Sequence, residues 1–172
     1  TVPAFVQDDC IVIRTHSART FLWDRILYIH KSGKLALATA LKDYGINYNQ
    51  PQDLKPHLKN ISDVEAEVLI HHELGEIHDT DFNRQLWREI IAAYPHTPIE
   101  LLTRTIKDLL ADTGEFGTLQ HIVDRRQAVS LGLYVAFFDG LGRELFPELR
   151  AAFAEFEKAG DWQIITDAIA VG

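Results

Sequence analysis

The chain has 172 residues, of which 47% are hydrophobic and 24% are charged. This composition is that of an ordinary globular domain and excludes wholesale disorder. The formal net charge of −8 argues against a nucleic-acid partner or an anionic membrane surface, because both would require a basic face. The single cysteine excludes an internal disulfide framework and any site built from several cysteines of one chain.

Neither a targeting signal nor a membrane span is recognisable. The first nine residues contain no basic residue and end in two acids. The longest nearly apolar run, 128–138, has eleven residues and is too short to cross a bilayer. We therefore expect a cytoplasmic protein without a membrane span.

Apolar residues recur at three- and four-residue spacing along most of the chain, which predicts helices. Only 10–13 resembles a strand, and one strand cannot form a sheet. In chain order the predicted helices cover 17–29, 35–44, 54–58, 62–79, 82–94, 97–111, 118–138, 148–158 and 161–169.

Two sequence signals mark helix starts with particular clarity. Ser62 with Glu65, and Thr97 with Glu100, both match the capping box. We expect a single all-α domain over 1–172, a bundle of seven to nine helices with a central apolar helix.

The segment 61–82 is unusually acidic. It contains seven acidic residues, no Lys or Arg, and three of the eight histidines of the chain. Seven of the eight net negative charges therefore lie in this segment, and the rest of the chain is nearly neutral.

A helical wheel sorts the predicted helix 62–79 into faces. Ala66, Ile70, Leu74 and Ile77 form an apolar stripe that is expected to face the core. A second face carries a ladder of carboxylates and imidazole within about 60° of arc; its members are Glu65, His72, Glu76 and Asp79.

This ladder is a candidate metal site. Imidazole and carboxylate together suit divalent metals such as iron or zinc, and a second helix can complete the ligand set inside a bundle. The best second-helix donors are His121 and Asp124. The alternatives are a solvated helix face, whose acids interact favourably with the helix dipole, and a charged protein-binding surface.

The five residues from His72 to Glu76 also resemble the HExxH helix of zincin metalloproteases. The resemblance implies that His72 is a zinc ligand and Glu73 the general base. The sequence departs from the zincin pattern at Glu76, which occupies the position of the second histidine, and no zincin sheet is predicted.

The apolar helix that ends near 138 contains or is followed by three glycines, at 132, 140 and 142. It is faintly similar to the distal helix of haem oxygenases, which implies a flat cofactor beside the glycines. The alternative is close packing against a crossing helix.

Two functions follow from these observations. The first is a non-catalytic module that forms a homo-oligomer or binds a partner protein, because several helices are apolar on more than one side. The second is a metal- or cofactor-binding bundle built around the ladder on the 62–79 helix, for which the expected activity is that of an oxidoreductase.

Overall fold

The computed structural model describes residues 2–8, 10–47, 50–80 and 82–171. A short hairpin, β1 (Ala4–Gln7) and β2 (Cys10–Ile13), precedes the helices. The α-helices are α1 (Thr15–Leu27), α2 (Lys34–Lys42), α3 (Pro51–Leu54), α4 (Leu58–His78), α5 (Arg84–Ala93), α6 (Pro98–Thr113), α7 (Thr118–Arg125), α8 (Ala128–Phe137), α9 (Gly140–Leu145), α10 (Glu148–Ala159) and α11 (Trp162–Ile169).

Helices dominate the described part of the chain, and nine of them contain eight residues or more. The predicted all-α bundle of seven to nine helices is therefore confirmed. No helix among the described residues is long and apolar enough to cross a membrane.

Helix α8 is the central apolar helix of the bundle, and α2 packs closely against it. A Cβ atom on Gly132 would lie 2.9 Å from the Cβ of Ala40 and 3.3 Å from the carbonyl oxygen of Ala36. The close approach of α2 therefore accounts for a glycine in this apolar helix.

The predicted helix 118–138 is two helices in the structure. Arg126 adopts a left-handed conformation with φ 53°, and the amides of Arg126 and Gln127 bond back to the carbonyls of Val123 and Ile122. These bonds close the end of α7 as a left-handed cap does. The sequence did not reveal the break because an arginine, not a glycine, occupies the left-handed position.

The N-terminal region also differs from the prediction. The segment 10–13 is a strand, but it pairs antiparallel with β1, with Ala4 opposite Ile13 and Gln7 opposite Cys10. Ala4 is buried, and the hairpin packs on α4. β1, with the sequence Ala-Phe-Val-Gln, lacks the run of three β-branched residues that indicated β2.

Helix α4 begins earlier and buries a different face than the sequence indicated. It starts at Leu58, so Ser62 is a buried residue of its interior and not an N-cap. The fully buried positions are Ile61, Ser62, Glu65 and Gly75, whereas the expected apolar stripe is half-buried and ends in exposed Ile77. The second capping box is correct, since the Thr97 hydroxyl accepts from the Glu100 amide.

Gly75 sets the distance between α4 and α6. A Cβ atom there would lie 2.0 Å from the carbonyl oxygen of Ala111. Ala111 is fully buried, so the two helix backbones touch at this point. The sequence of α4 on either side of Gly75, from His72 to Glu76, is thereby held against α6.

Gly75→Ala should lower the free energy of unfolding by about 1–3 kcal/mol, because a backbone oxygen cannot rotate away from the new methyl group. Chemical denaturation measures the change. Gly114→Ala is the control, since its Cβ would approach only the Leu110 oxygen at 3.1 Å and the Ala111 oxygen at 3.9 Å. Equal losses in the two variants would contradict this account of the contact.

Candidate metal centre

His72 is the centre of a polar network between α4, α6 and α8. Its Nδ1 atom lies 2.8 Å from Oδ1 of Asp112, and the other carboxylate oxygen of Asp112 accepts a hydrogen bond of 2.7 Å from the Tyr134 hydroxyl. Because a carboxylate only accepts, Nδ1 carries the proton in this bond. The Nε2 atom of His72 is thereby turned toward Glu76, 3.4 Å from its Oε1.

Glu76 is held from two sides. Its Oε1 atom also contacts the ammonium of Lys107, and the Arg84 guanidinium donates to its backbone carbonyl. Burial alone would raise the pKa of Glu76, but the hydrogen bonds from His72 and Lys107 outweigh it and lower the pKa to about 2. Glu76 of the acidic helix therefore has a basic partner, Lys107, that comes from α6.

The same network controls the protonation of His72. Burial alone would lower its pKa, but the hydrogen bonds to Asp112 and Glu76 outweigh burial and raise the pKa to about 11. Without a metal, His72 is therefore an imidazolium at neutral pH, held between two carboxylates.

Asp108 completes a set of three potential ligands. One ligand atom each from His72, Glu76 and Asp108 lies within 4.8 Å of the other two. The Asp108 side chain is 54% exposed and 3.7 Å from Lys107. One nitrogen and two carboxylate oxygens at this spacing are a donor set for a divalent cation.

The structure brings together two of the predicted ligands, His72 and Glu76. Glu65 lies on the buried side of α4, where the Ser130 hydroxyl donates to its Oε1 at 2.7 Å. Asp79 is the residue after α4, and its carboxylate accepts from the Phe82 amide at 3.2 Å. Asp81, also counted among the acids of this segment, lies outside the described residues.

The two predicted second-helix donors have other contacts. The His121 ring stacks on His71 with 3.8 Å between centroids, and its Nε2 lies 3.4 Å from Glu67. Asp124 accepts a hydrogen bond from Gln120. The second helix at His72 is instead α6, which contributes Asp108 and Asp112.

A cavity of about 660 Å³ adjoins the cluster, and His72, Glu76, Asp108, Asp112 and Tyr134 all line it. Most of the other lining side chains are apolar and come from α1, α4, α6, α8 and the region of α9. This volume is within the range of small-molecule sites. The polar groups thus line an otherwise largely apolar cavity that is large enough for a small organic molecule.

Glu73, the general base in the zincin resemblance, also lines this cavity. Its pKa is raised, first by burial and then by the charge of Glu76. No second histidine joins His72, and the described residues contain only a two-stranded hairpin as sheet. The site therefore resembles that of zincins only in the single turn from His72 to Glu76.

Comparison with known protein families gives one match. A family model described as the C-terminal domain of a family of unknown function, DUF6866, matches residues 19–172. The chain belongs to this family. The matched region contains the whole candidate metal centre and leaves out the β1–β2 hairpin. No curated protein and no solved structure matches the chain.

Four members of the network were not predicted from the sequence: Lys107, Asp108, Asp112 and Tyr134. The i,i+4 spacing of Asp108 and Asp112 places both carboxylates on one face of α6, and this pattern could have marked them as a pair. It could not be linked to His72, however, because the contact depends on how α4 and α6 cross.

Glu65 gives a test of the buried network by pH. Burial raises the pKa of Glu65 from 4.5 to about 7 against the lowering effect of the Ser130 hydrogen bond. The folded state thus retains a proton that the unfolded state loses near pH 4.5. Stability should fall as pH rises from about 4.5 to 7, by a total on the order of 3 kcal/mol.

Glu65→Gln should remove that fall, since the amide keeps an acceptor for Ser130 and cannot ionise. We expect the variant to be more stable than the parent at pH 8 and similar to it at pH 4.5, in denaturant titrations at both values. Glu67→Gln is the matched control on the exposed side of α4, where the side chain is 57% exposed. An unchanged pH slope in Glu65→Gln would refute the assignment.

Proposed function

We propose that this protein is a divalent-metal-binding helical bundle whose ligands are His72, Glu76 and Asp108. The observation that carries the proposal is the hydrogen bond between His72 Nδ1 and Asp112. Metal-binding histidines commonly donate their second ring N–H to a carboxylate, which fixes the ring and its tautomer. Here Nε2 is turned toward Glu76, and one ligand atom each of His72, Glu76 and Asp108 lies within 4.8 Å of the other two.

The donor set indicates the kind of metal. One imidazole nitrogen with two carboxylate oxygens suits zinc or iron(II) better than calcium, which takes oxygen ligands only. Three protein ligands leave further coordination positions open, as in catalytic rather than structural sites. Because the ligands line the 660 Å³ cavity, those positions are accessible to a small molecule.

The bound metal would decide the chemistry in the cavity. Zinc would act as a Lewis acid, and iron(II) would support the redox chemistry of an oxidoreductase. On this proposal Asp112 and Tyr134 are positioning residues. Asp112 accepts a hydrogen bond from His72, and Tyr134 donates a hydrogen bond to Asp112.

Metal binding has to displace two positive charges from the cluster. The proton on His72 Nε2 leaves, and the Lys107 ammonium moves off Glu76. Protons therefore compete with the metal, and the apparent affinity should increase with pH.

The test compares neighbouring histidines. Zn²⁺ is titrated calorimetrically, and Co²⁺ by absorption, into protein prepared without a histidine tag. His72→Gln should weaken binding at least tenfold, because it removes the nitrogen ligand. His71→Gln is the matched control, since His71 bonds to the Phe116 carbonyl and stacks on His121 on another side of α4.

Asp108→Asn is a second variant, which tests the proposal even if His72→Gln fails to fold. The side chain is half-exposed, so the variant should fold like the parent and still bind the metal at least tenfold more weakly. Equal affinity in the parent, His72→Gln and Asp108→Asn, or no uptake of zinc, cobalt or iron(II) by the parent, would overturn the proposal.

A second candidate function is self-association through α5 and α6. Helix α5 contains no buried residue, although it carries Leu86, Trp87, Ile90 and Ile91. Half of the exposed large hydrophobic side chains of the described chain lie between 77 and 116; they are Ile77, Leu86, Tyr94, Ile99, Leu101, Leu102, Ile106 and Phe116. We propose that a second copy covers exposed side chains of this segment. We also propose a cytoplasmic, reducing location, which the free, exposed thiol of Cys10 fits.

Leu86→Glu should convert a dimer into a monomer, because it puts a charge into the apolar contact. Size-exclusion chromatography with light scattering at several concentrations measures the mass. Leu35→Glu is the control, since Leu35 is 72% exposed on α2, away from this face. A parent protein that stays monomeric at high micromolar concentration would refute self-association.

A further inference from the structure

The lining of the cavity beside the candidate metal centre contains two chemically distinct kinds of side chain. The apolar ones include four aromatic rings, those of Phe21, Tyr134, Phe137 and Phe138. The acidic ones supply six carboxyl groups; they belong to Glu65, Glu73, Glu76, Asp108, Asp112 and Asp139.

Two basic side chains line the cavity, Arg25 and His72. Arg25 donates to the carbonyl oxygen of Phe137, and its guanidinium lies over the rings of Phe21 and Phe137 at 5.7 and 5.3 Å from their centroids, while its Nε atom is buried without a hydrogen-bond partner. His72 is held by Asp112 and Glu76. Because six carboxyl groups line the cavity with these two cations, an anionic ligand would meet an excess of carboxylates.

Glu73 and Asp139 are the two lining carboxylates that make no hydrogen bond or salt bridge to a described residue. Asp139 is exposed just after α8, whereas Glu73 is half-buried in the wall. By contrast, Glu76, Asp108 and Asp112 each have a basic group within 4 Å, and Glu65 accepts from Ser130. A carboxylate beside an apolar space gains most from a ligand that brings its own positive charge.

We propose that this cavity binds a small, largely apolar molecule that carries one ammonium group, with the ammonium at Glu73 and the apolar body against the aromatic rings. Aromatic faces and a carboxylate are together the groups that recognise alkylammonium ions. The proposal goes beyond metal binding and does not require it, since Glu73 is not one of the three proposed ligands.

The test uses three probes with the same alkyl chain and different head groups: octyltrimethylammonium, octanol and octanoate. The quaternary ammonium has a permanent charge and no lone pair, so it cannot bind through a metal. Binding is measured by calorimetry in the presence of EDTA, below micelle-forming concentrations. We expect one molecule of octyltrimethylammonium per chain, bound about tenfold more tightly than octanol, with octanoate weakest.

Variants locate the head group. Glu73→Gln should abolish the preference for the ammonium over octanol while leaving octanol binding unchanged. Glu67→Gln removes a charge from the same helix but not from the cavity wall, and should leave the preference intact. Circular dichroism of each variant checks the fold.

The results separate this proposal from the metal proposal. No binding of octyltrimethylammonium, equal or tighter binding of octanoate, or a preference that survives in Glu73→Gln overturns the ligand proposal. Zinc titration of the same protein preparations, without probe and without EDTA, tests the metal proposal alone.

Discussion

The contact between Gly75 and Ala111 is the constraint on which the candidate site depends. It joins α4 to α6 at backbone distance, one residue before Glu76 and one residue before Asp112. A side chain at Gly75 would meet the carbonyl oxygen of Ala111 and push the two helices apart. His72 could then no longer reach Asp112 at 2.8 Å. The polar network is therefore a consequence of how closely two helices pack, and the glycine inside the motif-like segment serves packing.

The acidic character of α4 also has a packing explanation. Its charges are divided among three environments: Glu65 is buried with Ser130, Glu76 is paired with Lys107, and Asp63 is bonded to Lys59 on the surface. Burial of Glu65 destabilises its ionised form, which raises its pKa to about 7. An apolar residue at this buried position of α4 would give a higher free energy of unfolding than the buried carboxyl group does. The cost is consistent with a polar wall kept for binding.

Much of the fold was predictable from local sequence, and the site was predictable in part. Helical periodicity and the cap at Thr97 depend on residues within one or two turns, so they could be read directly. The pairing of His72 with Glu76 is likewise local, at i and i+4. Asp108 could not be assigned because its place beside His72 depends on the crossing of α4 and α6. Ser62 was misread as a cap because the helix had already begun at Leu58, without a capping side chain.

Under the metal proposal, Lys107 would let the same cluster be stable with and without a metal. Its ammonium contacts the Glu76 oxygen that also lies near His72 Nε2. Replacing a proton and an ammonium by one divalent ion would leave the charge of the cluster unchanged. Asp112 would accept from His72 Nδ1 in both states, because that nitrogen is protonated in the imidazolium and in a metal-bound ring alike. Folding would then not depend on the metal, unlike the folding of a structural zinc site, whose binding energy is folding energy.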